Sequence, residues 1–170
     1  MKMVMKLLIV CIICLTIIVL LYVLGLLIYS SFTAFKPEPI ETMKTGQKGD
    51  DIIPIRKELT LFTWNIGYAG LGKEMDFFYE GGKMVRPSKI LYKNYISGIT
   101  DFIAQQDSID FFIFQEVDFN SKRSYYDDQV EKISELFTDY SITSAINYKS
   151  GFIPVPWHFP MGKVLSGLMT

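Results

Sequence analysis

Hydrophobic and polar positions follow three patterns along the chain, and the first is a long run without any charge. Apolar residues fill nearly every position of Leu7–Tyr29, and a bilayer core requires a helix of about 20 apolar residues. The run therefore predicts a transmembrane helix within an N-terminal anchor, residues 1–35. Because a secretory signal has a shorter apolar core, an uncleaved single-pass anchor is favoured over a cleaved signal. Lys2 and Lys6 precede the run and favour a cytoplasmic N-terminus, so we expect the following domain outside the cytoplasm.

The second pattern is a pair of short apolar runs that each end in polar residues. Leu59–Gly67 and Ile109–Val117 are rich in β-branched and aromatic residues, which is typical of buried strands. Between them lies a predicted helix that opens at Pro87 and Ser88 and ends near Asp107. The residues of its apolar face recur at helical spacing. They are Ile90, Leu91, Tyr95, Ile96, Ile99, Phe102 and Ile103. Strand, helix and strand form a crossover unit, so we expect two parallel strands whose carboxyl ends share one edge of a sheet.

The third pattern mixes turns with shorter periodic segments. Residues 36–57 contain several prolines and glycines and no helical period, which predicts a linker before a domain at residues 58–170. A second helix is predicted for about Asp127–Phe137, with inward residues at Val130, Ile133, Leu136 and Phe137. Two further strands and the loop that joins them are predicted at Tyr140–Ile146, Lys163–Thr170 and Asn147–Gly162. Because the chain stops inside the last of these strands, we expect a domain that is incomplete at its carboxyl end.

The charge balance argues against one class of partner. The chain has 17 basic and 18 acidic residues, and two of the basic residues, Lys2 and Lys6, lie before the apolar run. The part after residue 35 therefore has 15 basic and 18 acidic residues, a net charge of −3. A protein that grips nucleic acid through many phosphates has a basic excess, so nucleic acid is a disfavoured partner.

Two polar side chains end the predicted parallel strands. Asn65 ends the first strand just before a glycine-rich turn, and Glu116 stands at the end of the second. Carboxylate and amide oxygens suit hard cations such as Mg²⁺, which take few protein ligands and keep several waters. Asn65 and Glu116 are therefore interpreted as half of a divalent-metal site that acts on a phosphate ester. The alternative is structural: a carboxylate solvated at a strand end and an amide that satisfies a backbone group.

Two further residues are weaker candidates for substrate binding. Arg123 follows Glu116 closely, and its guanidinium has the fork geometry that suits a phosphate. His158, the only histidine, lies among prolines and aromatic residues. It is interpreted either as part of the substrate mouth or as a packed or exposed loop histidine.

Taken together, the two strand motifs resemble a known family. The N-terminal motifs of the endonuclease/exonuclease/phosphatase superfamily are similar to Leu61–Gly67 (LFTWNIG) and Asp110–Val117 (DFFIFQEV). The resemblance covers residues 58–170 and implies the N-terminal portion of a DNase I-like four-layer α/β sandwich, here preceded by a transmembrane helix. It also implies that Asn65 lies at the phosphate and the metal and that Glu116 binds the metal. The implied cofactor is Mg²⁺, or Mn²⁺ in its place.

The resemblance covers only part of the family's pattern. Later family motifs supply an Asp and an Asn that handle the leaving group and the nucleophile, and then an Asp-His pair, and this chain ends before them. Asp118-Phe119-Asn120 has the letters of the Asp-x-Asn motif but directly follows Glu116, so it is interpreted as a coincidence.

Two functions follow from these patterns as expectations. The first is a membrane-anchored, Mg²⁺-dependent phosphoesterase that hydrolyses phosphodiester or phosphomonoester bonds in the complete protein and is inactive as this fragment. Because of the anchor and the acidic balance, lipid headgroup phosphates or sugar phosphates are favoured over nucleic acid as its substrates. The alternative is a catalytically inactive, truncated or degenerate domain that acts as a membrane-tethered binding protein.

Overall fold

The structure, a computed structural model, describes residues 2–43, 45–46 and 58–170. Residue 44 and residues 47–57, which include much of the predicted linker, lie outside the described residues. In chain order, the helices and strands are α1 (Lys2–Thr33), β1 (Leu61–Asn65), α2 (Lys89–Ala104), β2 (Phe111–Asp118), α3 (Gln129–Ser134), β3 (Ser144–Ile153) and β4 (Gly162–Met169).

The chain divides into two compact units, Met1–Ala34 and Phe35–Thr170, and the first of them contains α1. Helix α1 has 32 residues, and its most apolar window has a mean hydropathy of 3.4. At 1.5 Å per residue it is about 48 Å long, whereas a bilayer core is about 30 Å thick. The predicted span, residues 7–29, lies inside α1. Among the described residues, α1 is thus the one helix long and apolar enough to cross a membrane.

The second unit is built on a mixed sheet. In the part of the chain that the structure describes, four strands pair in the order β1-β2-β4-β3. β1 and β2 are parallel, with Leu61 opposite Phe111 and Asn65 opposite Gln115. β4 runs antiparallel to both β2 and β3. The mixed α/β class and the parallel crossover through α2 are therefore confirmed, and the carboxyl ends of β1 and β2 lie at the same edge.

Helix α2 begins where the sequence predicts and buries a narrower stripe than predicted. Ser88 is its N-cap, because the Ser88 hydroxyl accepts a hydrogen bond from the Leu91 amide at 3.2 Å. The buried residues recur at intervals of three or four and are Tyr92, Ile96, Ile99 and Ile103. Ile90 and Phe102, which were expected to face inward, are 75% and 47% exposed. The buried stripe is thus narrower than predicted and includes a tyrosine that the pattern omitted.

Two other predicted boundaries are wrong. Helix α3 has only six residues, is capped by Asp128 and leaves Leu136 exposed, so the predicted helix is too long. β3 starts four residues later than expected and continues through much of the predicted loop. The reason is pairing: β3 and β4 form a long antiparallel hairpin, and its ladder keeps the polar residues of β3 extended.

The main core lies between the sheet and the helices of the second unit. Phe112 and Phe114 of β2 point into it, and the ring of Phe112 lies 4.6 Å from that of Phe137. A smaller cluster of Val85, Met161 and Val164 joins the long connection after β1 to the start of β4. That connection is therefore packed against the sheet, next to the edge where β1 and β2 end.

Candidate functional site

Asn65 and Glu116 meet at the carboxyl edge of the parallel pair. Asn65 is the last residue of β1. The ladder between β2 and β4 shifts register between Gln115 and Val117, and Glu116 has a φ of 53°. Such a bulge takes one residue out of the ladder and redirects its side chain. Asn65 Nδ2 donates a hydrogen bond to Glu116 Oε1 at 2.9 Å, across 51 residues of sequence.

A second hydrogen bond orients the Asn65 amide. The Gly67 backbone N–H donates to Asn65 Oδ1 at 2.9 Å. A backbone N–H can only donate, so the amide oxygen must face Gly67 and the amide nitrogen must face Glu116. The bond to Glu116 uses one of two amide hydrogens and one of two carboxylate oxygens. Asn65 is exposed and Glu116 is half-buried, so solvent and a ligand can reach both groups.

The donor set fits a cation that keeps much of its water. Within the described residues, no three His, Cys, Asp or Glu side chains are grouped in a way that could hold a metal ion. Zn²⁺ in proteins takes three or four such ligands, whereas Mg²⁺ is often held by one or two carboxylates together with substrate phosphates. Glu116 is the charged ligand available here, and Asn65 would hold its carboxylate in place rather than coordinate through Oδ1.

Arg123 lies near this edge, but its guanidinium is already engaged. Arg123 Nη2 donates to Asp118 Oδ1 at 2.9 Å, and Arg123 Nε donates to Asp118 Oδ2 at 3.1 Å. Nη2 also donates to the Ser166 hydroxyl at 3.1 Å. The Asp118 side chain is fully buried and that of Arg123 is 12% exposed. The sequence suggested that the Arg123 guanidinium binds a phosphate, but in the structure it binds Asp118. Asp118 belongs to the Asp-Phe-Asn segment that was interpreted as a coincidental motif.

Tyr68 is part of the same cluster, and sequence reasoning missed it. The Arg123 guanidinium lies 3.6 Å from the centre of the Tyr68 ring, a cation–π contact. Gly67, Tyr68 and Ala69 have φ values of 53°, 45° and 52°, which residues other than glycine rarely adopt. A large aromatic residue inside a glycine-rich turn, directly after the strand that ends in Asn65, was the available signal.

A buried polar network supports the turn that carries Tyr68. Gln129 Nε2 donates to the Tyr68 carbonyl at 2.8 Å, and the Asp118 amide donates to Gln129 Oε1 at 2.9 Å. Gln129 Nε2 also donates to the Tyr92 hydroxyl, which itself donates to Asp127 at 2.9 Å. One side chain of α3 therefore links the end of β2 to the turn after β1, and it fixes the backbone on both sides of the site.

Burial favours the protonated form of the Tyr68 phenol still further. Its side chain is 2% exposed. Burial raises the pKa of the Tyr68 hydroxyl, the Arg123 charge opposes that rise, and the Glu116 and Asp118 charges add to it. The phenol therefore keeps its proton at neutral pH, and its hydroxyl remains a hydrogen-bond donor.

The structure does not bring His158 to Asn65 or Glu116. His158 is exposed on the connection between β3 and β4, and its ring lies 5.7 Å from that of Trp157. Trp157 is itself 87% exposed. Of the two interpretations that the sequence allowed, the exposed loop histidine matches this placement.

A cleft adjoins Asn65 on the side of α2. It has a volume of about 490 Å³ and lies between the end of β1 and the middle of α2. Most of its lining is apolar, and the residues around it include Trp64, Asn65, Leu71, Asn94, Tyr95 and Ile99. A small ligand bound to Asn65 and Glu116 could extend into this cleft.

Comparison with known proteins found no relative, because no family model matches the chain and no curated protein or solved structure is similar to it.

Proposed function

We propose that this chain carries the metal-binding half of a membrane-anchored, Mg²⁺-dependent phosphoesterase. The hydrogen bond between Asn65 and Glu116 carries the proposal. It joins the amide and the carboxylate that the two strand motifs single out, at an edge of the sheet where α/β proteins commonly bind ligands. Both side chains are accessible, and the donor set suits Mg²⁺ better than a metal that needs three protein ligands.

The roles of the two residues follow from their hydrogen bonds. Glu116 would hold the cation through the carboxylate oxygen that Asn65 does not use. Asn65 would keep that carboxylate in place and donate its second amide hydrogen to a phosphate oxygen. When bound, Mg²⁺ supplies charge that polarises the phosphoryl group and stabilises the leaving oxygen. Mn²⁺ prefers similar oxygen ligands and would substitute for it.

The proposed fold is the N-terminal portion of a DNase I-like sandwich. Its support is the order of elements: a parallel pair joined by α2, followed by the antiparallel strand β4 beside β2. The motifs Leu61–Gly67 and Asp110–Val117 lie on the two parallel strands, with their polar ends together.

The proposed substrates are phosphodiesters or phosphomonoesters of lipid headgroups or sugars. The acidic balance after residue 35 disfavours nucleic acid, and α1 is long and apolar enough to place the protein in a membrane. We propose that the second unit acts outside the cytoplasm, because Lys2 and Lys6 favour retention of the N-terminus inside.

The test is hydrolysis of a panel of phosphate esters by the full chain in detergent micelles. We expect activity that requires Mg²⁺ and falls by about two orders of magnitude or more in Glu116→Gln, which keeps the shape of the side chain and removes its charge. Glu135→Gln changes an exposed carboxylate and is the matched control, expected to retain full activity. Hydrolysis that survives both chelation and Glu116→Gln would contradict the mechanism.

The alternative function is a membrane-tethered binding protein without turnover. The observation that favours it is the engagement of the Arg123 guanidinium by Asp118, which removes this group from phosphate binding. Binding of Mg²⁺ that is lost in Glu116→Gln, with no hydrolysis of any ester by the unaltered chain, would support this alternative over the enzyme.

A further inference from the structure

The buried and half-buried tyrosines of the second unit differ in how their hydroxyls are satisfied. The Tyr92 hydroxyl donates to Asp127 and accepts from Gln129. The Tyr125 and Tyr140 hydroxyls donate to the carbonyls of Pro87 and Ile109 at 2.7 and 2.6 Å. The Tyr68 hydroxyl is buried and has no hydrogen-bond partner among the described residues. Buried hydroxyls nearly always have a partner, so an exception in the turn that follows Asn65 requires an explanation.

The surrounding structure holds Tyr68 in place with two contacts and in a constrained backbone conformation. Arg123 covers one face of its ring, Gln129 binds its carbonyl, and the backbone is held in a left-handed turn. A left-handed tyrosine is strained, and such strain persists only where neighbouring groups enforce it. The chain thus maintains an unfavourable conformation whose effect is to fix the position of this phenol.

The electrostatic surroundings define which ligand the hydroxyl suits. The Arg123 guanidinium lies against the Tyr68 ring and binds Asp118, and Glu116 lies two residues before Asp118 on β2. Because the phenol stays protonated, its hydroxyl can donate a hydrogen bond to an oxygen acceptor. The two carboxylates and one guanidinium sum to a single negative charge, so a phosphate would enter together with a cation. A phosphate oxygen at a Mg²⁺ held by Glu116 meets both conditions.

We propose that Tyr68 is a phosphate-binding residue of the Glu116 site, whose hydroxyl donates to an oxygen of the phosphate that enters with Mg²⁺. The inference rests on the proposed function and extends it, since it adds a third residue to Asn65 and Glu116 and assigns a purpose to the strained turn. Arg123 is then a positioning residue that holds the Tyr68 ring, and Asp118 holds Arg123.

The experiment is thermal unfolding of the full chain in detergent micelles, with and without Mg²⁺ and inorganic phosphate. Tyr68→Phe removes only the oxygen that is unpaired in the described structure. Without ligands we therefore expect its unfolding midpoint to equal that of the unaltered chain or to exceed it by roughly 2–4 °C. With both ligands, the midpoint of the unaltered chain rises, and that of Tyr68→Phe rises by less than half as much.

Tyr92→Phe is the matched control, because it removes a buried hydroxyl that has two partners. Its midpoint should fall without ligands, while its increment with Mg²⁺ and phosphate stays intact. A lower midpoint for Tyr68→Phe without ligands would mean that its hydroxyl has a structural partner and would overturn the proposal. A full ligand increment in Tyr68→Phe, or no increment in the unaltered chain, would also overturn it.

Measurements of ester hydrolysis distinguish a failure of this inference from a failure of the proposed function. If an ester is hydrolysed, Tyr68→Phe should lower kcat/KM by about tenfold, the loss expected for one hydrogen bond to a charged group. If no ester is hydrolysed, the enzymatic proposal fails, whereas the increments with Mg²⁺ and phosphate still decide the role of Tyr68.

Discussion

The two ends of the β1–β2 pair use acidic side chains in opposite ways. At the amino end, Asp110 Oδ2 accepts a hydrogen bond from the Thr60 amide at 2.8 Å, and the Asp110 amide donates to the Thr60 carbonyl at 2.9 Å. At the carboxyl end, a bulge takes Glu116 out of the ladder, and its carboxylate meets the Asn65 side chain. Asp110 therefore helps to close the strands together, whereas Glu116 stays partly accessible beside Asn65.

Backbone conformation also differs between the two ends, because residues with positive φ are more frequent at the carboxyl end. Gly67, Tyr68, Ala69 and Glu116 all have positive φ at the carboxyl end, whereas Ser108 is the described residue with positive φ just before the amino end of β2. A left-handed residue other than glycine is unfavourable by about 1–2 kcal/mol. Between these two ends of the strand pair, the strained residues lie mainly at the end where the candidate ligand groups converge, and strained residues are common in binding sites. Tyr125 and Tyr126, in the connection after β2, also have positive φ.

The largest expected difference between the ends comes from Asp118→Asn compared with Asp110→Asn. Asp118→Asn leaves the buried Arg123 charge without its counter-charge, so the free energy of unfolding should fall by about 3 kcal/mol or more. Asp110→Asn retains an oxygen that can accept from the Thr60 amide, so the loss should be about 1 kcal/mol. Chemical denaturation of the full chain in micelles, followed by tryptophan fluorescence, measures both. Equal losses would remove the distinction between the two ends.

The next largest effect tests the strain directly with two glycines. Gly67→Ala places a Cβ at a φ of 53° and 3.2 Å from Leu71 side-chain atoms, so stability should fall by about 1–2 kcal/mol. A Cβ at Gly98, within α2, would meet no atom within 4 Å among the described residues. Gly98→Ala should therefore raise stability by about 0.5–1 kcal/mol.

The same denaturation experiment gives the sign of each change. Opposite signs would show that the turn after β1 requires glycine for its conformation, whereas α2 merely tolerates it. A Gly67→Ala chain as stable as the unaltered one would mean that the turn is not strained in solution.

The smallest expected effect on stability belongs to Asn65→Ala. It removes the hydrogen bonds to Gly67 and Glu116 and should lower the free energy of unfolding by about 1 kcal/mol. Its effect on Mg²⁺ affinity should be larger, about 10–100-fold, because the carboxylate loses the group that orients it. Asn94→Ala, on the exposed face of α2 beside the same cleft, is the control for calorimetric titration with Mg²⁺. An Asn65→Ala chain with unchanged affinity would exclude a role for Asn65 in orienting Glu116.

The crossover and the meeting of Asn65 with Glu116 could be predicted because they depend on local patterns. Two apolar runs of strand length, with an amphipathic helix between them, predict a parallel strand pair joined by a crossover. The polar residues at the ends of the two runs must then lie at one edge of the sheet. The start of α2 at Ser88 could also be predicted from the sequence, because the Ser88 side chain caps a backbone amide only three residues away.

Other features depend on partners that are distant in sequence. The bulge at Glu116 arises from pairing with β4, more than 50 residues later, and no local pattern marks it. The length of β3 is set by the same strand. Arg123 looked free for a phosphate, although Asp118 lies only five residues before it, because its second partner, Ser166, reaches it only when β2 and β4 are adjacent. Tyr68 was missed because its burial and its contact with Arg123 exist only in the folded domain.

The sequence by itself determined the apolar helix, the parallel strand pair and the two polar residues at the strand ends, because each of these depends on the spacing of side chains along a short segment. The tertiary structure alone decided which polar groups remain available to a ligand. Asp118 and Arg123 neutralise each other inside the domain, while Glu116 stays accessible beside Asn65. The physical reason is that the cost of burying a charge is offset only by a partner brought close in the fold, and here the turn after β2 brings Arg123 back onto Asp118.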